Sequence, residues 1–359
     1  MSSPGNTATY SAHGKLLLFG EHAAVYGYPA LGTSLPIDLG IRVQPGAASA
    51  RKLNMPDHLF PGLTAEEEDA ALKLLIQARK LIPGLHFPPA TYILKGSIPR
   101  SSGFGSSAAL CVALARYVFS LSDKAEQGLA HLLPKFQHGW SDAEQQQYLL
   151  WHIANDLEKV FHGSPSGIDT GLAIRSGLTA FFPRSRRLPD VLPLPSPGED
   201  IWLLYGAVPR VGNTKDLVGG IQKGMLEERP KVVEAIGKLG DIAHRAIDLL
   251  NSEHPLNGEQ GGRNEHPGSI SGLLGTLADK AGEQLKILQL NSPHMDRLLD
   301  KARKFGAAGG KLSGAGGGGA FWISTSGEDQ ARDLREQLTA FAMNRKIPLS
   351  EPLNLMKLH

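Results

Sequence analysis

Residues 95–119 read KGSIPRSSGFGSSAALCVALARYVF, and this stretch decides how the rest of the chain is organised. An extended run at 92–94, then Ile98 and Pro99, gives way to Gly103, Gly105, Ser106 and Ser107. Apolar helix formers follow, with no breaker until Ser120. The pattern predicts a glycine-rich loop feeding a buried helix. Such a helix start gathers unpaired backbone N–H groups and the positive end of the helix dipole, and glycines without a Cβ let a polyphosphate approach closely. The loop is a candidate phosphate cradle; a bland serine and glycine turn before a core helix is the alternative. Gly103-x-Gly105-x-x-Ala108 also imitates a dinucleotide fingerprint, but the acidic residue about 20 positions on falls at Asp123, in a polar stretch and not at a strand end. The pattern G-x-x-x-x-G-K-[ST] occurs nowhere.

With 359 residues the chain exceeds the size at which one hydrophobic core stops growing, so two domains are expected. A content of 41% hydrophobic and 20% charged residues is that of a soluble globular protein. The formal net charge of +2 argues against a nucleic-acid partner. The single cysteine, Cys111, falls within the apolar helix and reads as an inert core thiol in a reducing compartment. The opening MSSPGNTATYS lacks the basic start and apolar core of a secretory signal and reads as a short disordered leader. The longest apolar stretch, 108–119, is broken by Arg116 and is shorter than the roughly 20 residues that span a bilayer. A cytoplasmic protein without membrane attachment is expected.

Residues 16–19 (LLLF) read as a buried strand, with Lys15 before it and Glu21 and His22 after it. Taken singly these are a surface lysine, a solvated glutamate and a core histidine. Thr64 and Glu67 have capping-box spacing ahead of a helical stripe (Ala71, Leu74, Leu75, Ala78, Leu81, Ile82), and Ser141 and Glu144 repeat it ahead of Leu149, Ile153, Leu157 and Val160, with Gly163 as the stop. Glu158 lies on that second helix and on composition alone is a solvated charge. A short helix is expected between 120 and 138, and strands at 90–95, 178–182 and 201–205. The proline-rich 188–200 reads as a boundary between domains 1–195 and 196–359. Helical periodicity returns at 231–250, a mobile polar loop is expected at 251–268, and Ser292-Pro293 opens a helix capped at Gly306. GGKLSGAGGGG at 309–319 reads as a tight helix-to-strand connection ahead of the apolar 320–323, and a last helix covers 328–344. The expected class is layered α/β, an α+β two-layer arrangement.

Four segments together resemble the GHMP kinases: Lys15-x-x-x-x-Gly20-Glu21-His22-x-x-x-x-Gly27, then IPRSSGFGSSAA at 98–109, E-x-x-x-H-G-S-P-S-G-I-D from Glu158 to Asp169, and the glycine run at 309–319. The form GEHAAVYGYPAL is most similar to the mevalonate kinase members. The resemblance implies a two-domain fold with ATP and acceptor in the cleft between the domains. It implies nucleotide phosphates on Ser101, Ser102, Gly103, Phe104, Gly105, Ser106, Ser107 and Ala108, and Mg2+ held by Ser107 and Glu158. It also implies Asp169 facing the acceptor hydroxyl with Lys15 close by, and substrate contacts from Glu21, His22, Thr214, Gly314 and Ala315. Three departures stand out: Phe104 replaces a leucine, Ser101 replaces a frequent glycine, and two residues are inserted ahead of Thr214. The implied reaction moves the ATP γ-phosphoryl to the 5-hydroxyl of mevalonate, in isoprenoid precursor synthesis. A kinase of the same family for another small molecule, or a nucleotide-binding sensor, would share the phosphate machinery. Monomer and homodimer both stay open.

Overall fold

The computed structural model describes residues 7–45, 60–121, 133, 139–185, 187–195, 200–212, 214–251, 269–343, 345 and 347–357, without the side chains of 214, 215 and 356. The short helix expected between 120 and 138 and the loop expected at 251–268 lie almost wholly outside the described residues.

The chain forms two compact units, residues 1–14, 35–99 and 105–175 in the first and 15–34, 100–104 and 176–359 in the second. This partition differs from a cut at 195/196 because strands β1 (Ala8–Phe19) and β2 (Ala30–Pro45) each run from one unit into the other.

In the first unit, β2 pairs antiparallel with β3 (Ala90–Gly96), from Leu39 opposite Gly96 to Pro45 opposite Ala90. Three helices supply its core: α1 (Ala65–Leu81), α2 (Ser106–Ser120) and α3 (Asp142–His162). Both expected capping boxes form. The Thr64 and Ser141 hydroxyls accept from the N–H groups of Glu67 and Glu144, whose carboxylates return to the cap backbone. Leu74, Ala78, Ala108, Val112, Ala115, Leu149, Ile153 and Leu157 are buried where these helices meet, each large side chain contributing about 1.5–3 kcal/mol relative to exposure. A short fourth helix, α4 (Ile168–Ile174), packs on α2 and α3. The expected leader is partly a strand. β1 begins at Ala8, held by Tyr10, whose hydroxyl lies 2.7 Å from Ser120 Oγ and whose ring lies 5.3 Å from that of Tyr117.

In the second unit the start of β2 pairs with β4 (Leu178–Arg184), which pairs with β5 (Arg187–Pro193). The proline-rich stretch expected as a boundary is therefore a strand as far as Pro193. As the last strand in the order β1-β2-β4-β5, it tolerates Pro189 and Pro193, which supply no ladder N–H. A second sheet runs β7 (Gly309–Leu312), β8 (Gly319–Thr325), β6 (Trp202–Val208), β9 (Leu353–Asn354). Among the described residues the remaining α-helices are α5 (Thr214–Leu226), α6 (Pro230–Asn251), α7 (Ile270–Ile287), α8 (Pro293–Lys304) and α9 (Glu328–Met343). Helices α7, α8 and α9 pack on this sheet.

The glycine run is not a helix-to-strand connection. Its first four residues are β7, and 313–318 turn the chain into β8. Strand and helix touch so closely here that a Cβ on Gly309 would lie 2.0 Å from the Gly275 carbonyl of α7.

Candidate active site

In the first unit the site is built at the start of α2. Gly105, in the left-handed region at φ 79°, is the N-cap, and no side chain caps the helix. Ser106 and Ser107 are therefore the first two helical residues and not caps. Ser107 Oγ is freed for another partner: it donates to Glu158 Oε1 at 2.8 Å. Glu158 is only 2% exposed, because α3 lays this face against α2. His162, one turn further along α3 and exposed, puts Nε2 3.3 Å from Glu158 Oε1 and 3.4 Å from Ser107 Oγ. Cys111, one turn beyond Ser107, shares a hydrogen bond with the Glu158 carboxylate; burial first, and that carboxylate second, push its thiol well above the ordinary range. Cys111 is thus an inert thiol, as expected. Asp169 stands in the first turn of α4 and is half-buried. Ala108 is fully buried, so a ligand at this end of the loop meets its backbone.

In the second unit Lys15 is buried, and its backbone N–H donates to the Phe104 carbonyl at 2.9 Å. Ser102 and Phe104 are buried too, Phe104 edge-on to Tyr205, so this part of the loop offers backbone and not side chains. Ser101 adopts φ 55°, which accounts for glycine being the usual residue there; its carbonyl accepts from Arg210 Nε at 3.0 Å. Beyond β1, Gly20 admits no other residue: its φ is 92°, and a Cβ would lie 2.4 Å from the Pro29 carbonyl. That turn places Glu21 inside the unit, 2% exposed. Glu21 Oε1 accepts from Lys311 Nζ, and Lys311, 0% exposed, also donates to the carbonyls of Leu18 (2.9 Å) and Leu312 (2.7 Å) between the rings of Phe19 and Trp322. Burial raises the Glu21 carboxyl and lowers the Lys311 ammonium, and the attraction between them opposes both shifts. Glu21 Oε2 has no hydrogen-bond partner among the described residues.

His22 sits at φ 60° with Nε2 buried and unpartnered. Burial lowers its pKa to about 4, against a hydrogen bond with the Ala315 backbone that raises it. The structure thus joins Glu21, His22 and Ala315; Gly314 adjoins them in sequence at φ 96°. Thr214 opens α5, and its side chain lies outside those described. Lys311, His162 and Cys111 were not among the expected site residues. Lys311 stood out in the sequence as a lone charge in a glycine and apolar run, and His162 as the histidine of the segment from Glu158 to Asp169.

Two halves of one family match the chain in order: GHMP kinases N terminal domain over residues 69–177 and GHMP kinases C terminal over residues 270–343, together more than half of it. Mevalonate kinase of Pyrococcus horikoshii is 27% identical, over 94% of this chain and 93% of the relative. Mevalonate kinase of Aeropyrum pernix is 28% identical, over 87% of this chain and 86% of the relative. The crystal structure of L. major mevalonate kinase in complex with R-mevalonate superposes with a TM-score of 0.69 at 22% identity, covering 98% of each chain, a likeness of fold. With both halves of the family in place and in order, the chain belongs to the GHMP kinases.

Proposed function

We propose that this chain is an ATP-dependent mevalonate kinase, forming 5-phosphomevalonate and ADP. Curated mevalonate kinases align with it over nearly the whole of both chains. The observation that carries the reading is the Ser107–Glu158 pair, a hydroxyl and a buried carboxylate joined at 2.8 Å at the start of the helix that follows the glycine loop. Both are hard oxygen donors of the kind Mg2+ takes. Among the described residues no cluster of three or more His, Cys, Asp or Glu is placed to hold a metal, which suits an ion that keeps waters and nucleotide oxygens in its shell. Ser107 and Glu158 would hold Mg2+, and when bound it supplies charge neutralisation at the phosphates.

The chain's own groups do the rest. Backbone N–H groups from Ser101 to Ala108 bind the phosphates. Asp169 orients the primary hydroxyl and takes its proton as the acceptor oxygen bonds to the γ-phosphorus; the bond from that phosphorus to the β,γ-bridging oxygen breaks, and ADP leaves. Lys15 steadies the transferring group. Glu21, His22, Thr214, Gly314 and Ala315 bind mevalonate. No helix among the described residues is long and apolar enough to cross a membrane, and the cytoplasm is the compartment this activity calls for. The test is ADP release against mevalonate, phosphomevalonate, galactose and homoserine. Turnover confined to mevalonate is expected; preference for another acceptor would replace the substrate while keeping the family.

A further inference from the structure

We infer that Trp151 is a positioning residue for Asp169, its indole holding the short helix α4 at both ends; this rests on the proposed role of Asp169. A seven-residue helix is well below the length that is stable by itself, so tertiary contacts set its orientation. Its N-cap, Gly167, is in the left-handed region at φ 83° and has no side chain with which to cap. Trp151, 1% exposed in the middle of α3, is a donor only and so does not cap the free N–H groups; it anchors the cap residue through its carbonyl. Its Nε1–H donates to the Gly167 carbonyl at 2.9 Å and to Thr170 Oγ1 at 3.2 Å. Thr170 Oγ1 in turn donates to the same carbonyl at 3.2 Å, and so does the Gly171 N–H at 2.8 Å, closing the first turn.

At the other end Arg175, the residue after α4, stacks its guanidinium 4.3 Å from the centre of the Trp151 ring while Nη1 donates to the Gly171 carbonyl at 3.1 Å. Asp169 lies between these two attachments. Trp151 and Glu158 are both on α3, seven residues apart, or about 10 Å along the axis. One helix therefore carries the proposed metal ligand and the clamp on the proposed base. Phosphoryl transfer depends on alignment that a displacement of about 1 Å degrades, so loss of the indole N–H should act on the chemical step and leave nucleotide binding alone.

Trp151→Phe keeps a ring for Arg175 and for the core but removes the donor. Hydrogen exchange over 168–174 should quicken about tenfold relative to wild type. On the acceptor that wild-type enzyme turns over, kcat should fall about tenfold, with the KM for ATP and the half-saturating Mg2+ unchanged. In an Asp169→Asn background the same substitution should have little further effect on kcat, because the group it positions is already disabled. Unchanged exchange would remove the clamp. Quickened exchange with wild-type kcat, or an equal loss of kcat in the Asp169→Asn background, would leave Trp151 a packing residue and overturn the proposal. Should Trp151→Phe fail to fold, Thr170→Val removes the other side chain of the clamp and enters the same cycle, judged by the same outcomes. Wild-type enzyme with no activity on mevalonate would refute the assigned substrate, and the exchange measurement would still decide the clamp.

Discussion

Two glutamates are buried to the same 2% exposure, one in each unit, and their surroundings differ in kind. Glu21 faces Lys311, an ammonium sealed from solvent and held by two carbonyls besides. Glu158 faces a hydroxyl, a thiol and an exposed imidazole. Glu21 therefore has a fixed internal counter-charge, and Glu158 has partners that can turn aside without stranding a buried cation. A carboxylate of the first kind holds a fold together around one oxygen and can present the other. A carboxylate of the second kind is suited to receive a cation that comes and goes with a nucleotide.

The comparison can be broken most severely at Lys311. Lys311→Met should cost about 3–5 kcal/mol, because Glu21 would be left buried without its partner, and Glu21→Gln combined with Lys311→Met should recover most of that loss. Chemical unfolding of the two variants measures both effects; a single variant as stable as wild type would mean that the pair is not a structural tie. His22 gives the next effect. Its folded pKa of about 4 lies below the ordinary histidine value of 6.5, so the unfolded chain binds more protons between these values and stability falls as pH is lowered through that window. From pH 7 to 5 the histidine should account for about 2 kcal/mol, read as the difference between wild type and His22→Gln; parallel curves would show the imidazole to be solvated. In the other unit, Ser107→Ala should lower turnover about tenfold or more. Ser106→Ala should stay within about 0.5 kcal/mol of wild type in stability and within roughly twofold in turnover, since neither serine caps α2. Equal effects of the two would undo the separate role given to Ser107.

How much was legible follows from the range of the interactions involved. The capping boxes at Thr64 and Ser141 were readable because cap and partner are three residues apart. Ser107, Glu158 and Asp169 stand out in the sequence because the spacing of the motifs carries them, and the structure brings the first two together. The pairing of Glu21 with Lys311 was not readable, because 290 residues separate its members. Serine is a favoured cap, yet a glycine at positive φ, Gly105, takes that position ahead of Ser106 and Ser107. β5 was missed because its prolines signal a linker and are permitted at a sheet edge, and the early start of β1 because Tyr10 and Ser11 are held by residues more than 100 positions away. Ser101 stands out in the sequence as a phosphate contact and as a departure from a motif; its φ of 55° gives the reason for the frequent glycine there.

The most direct test is an equilibrium Mg2+ titration of ATP binding in Glu158→Gln beside Glu21→Gln. The half-saturating Mg2+ concentration should rise about tenfold or more in Glu158→Gln and stay at the wild-type value in Glu21→Gln. A wild-type Mg2+ requirement in Glu158→Gln, or the same rise in both variants, would contradict the assignment of the first unit's carboxylate to the metal.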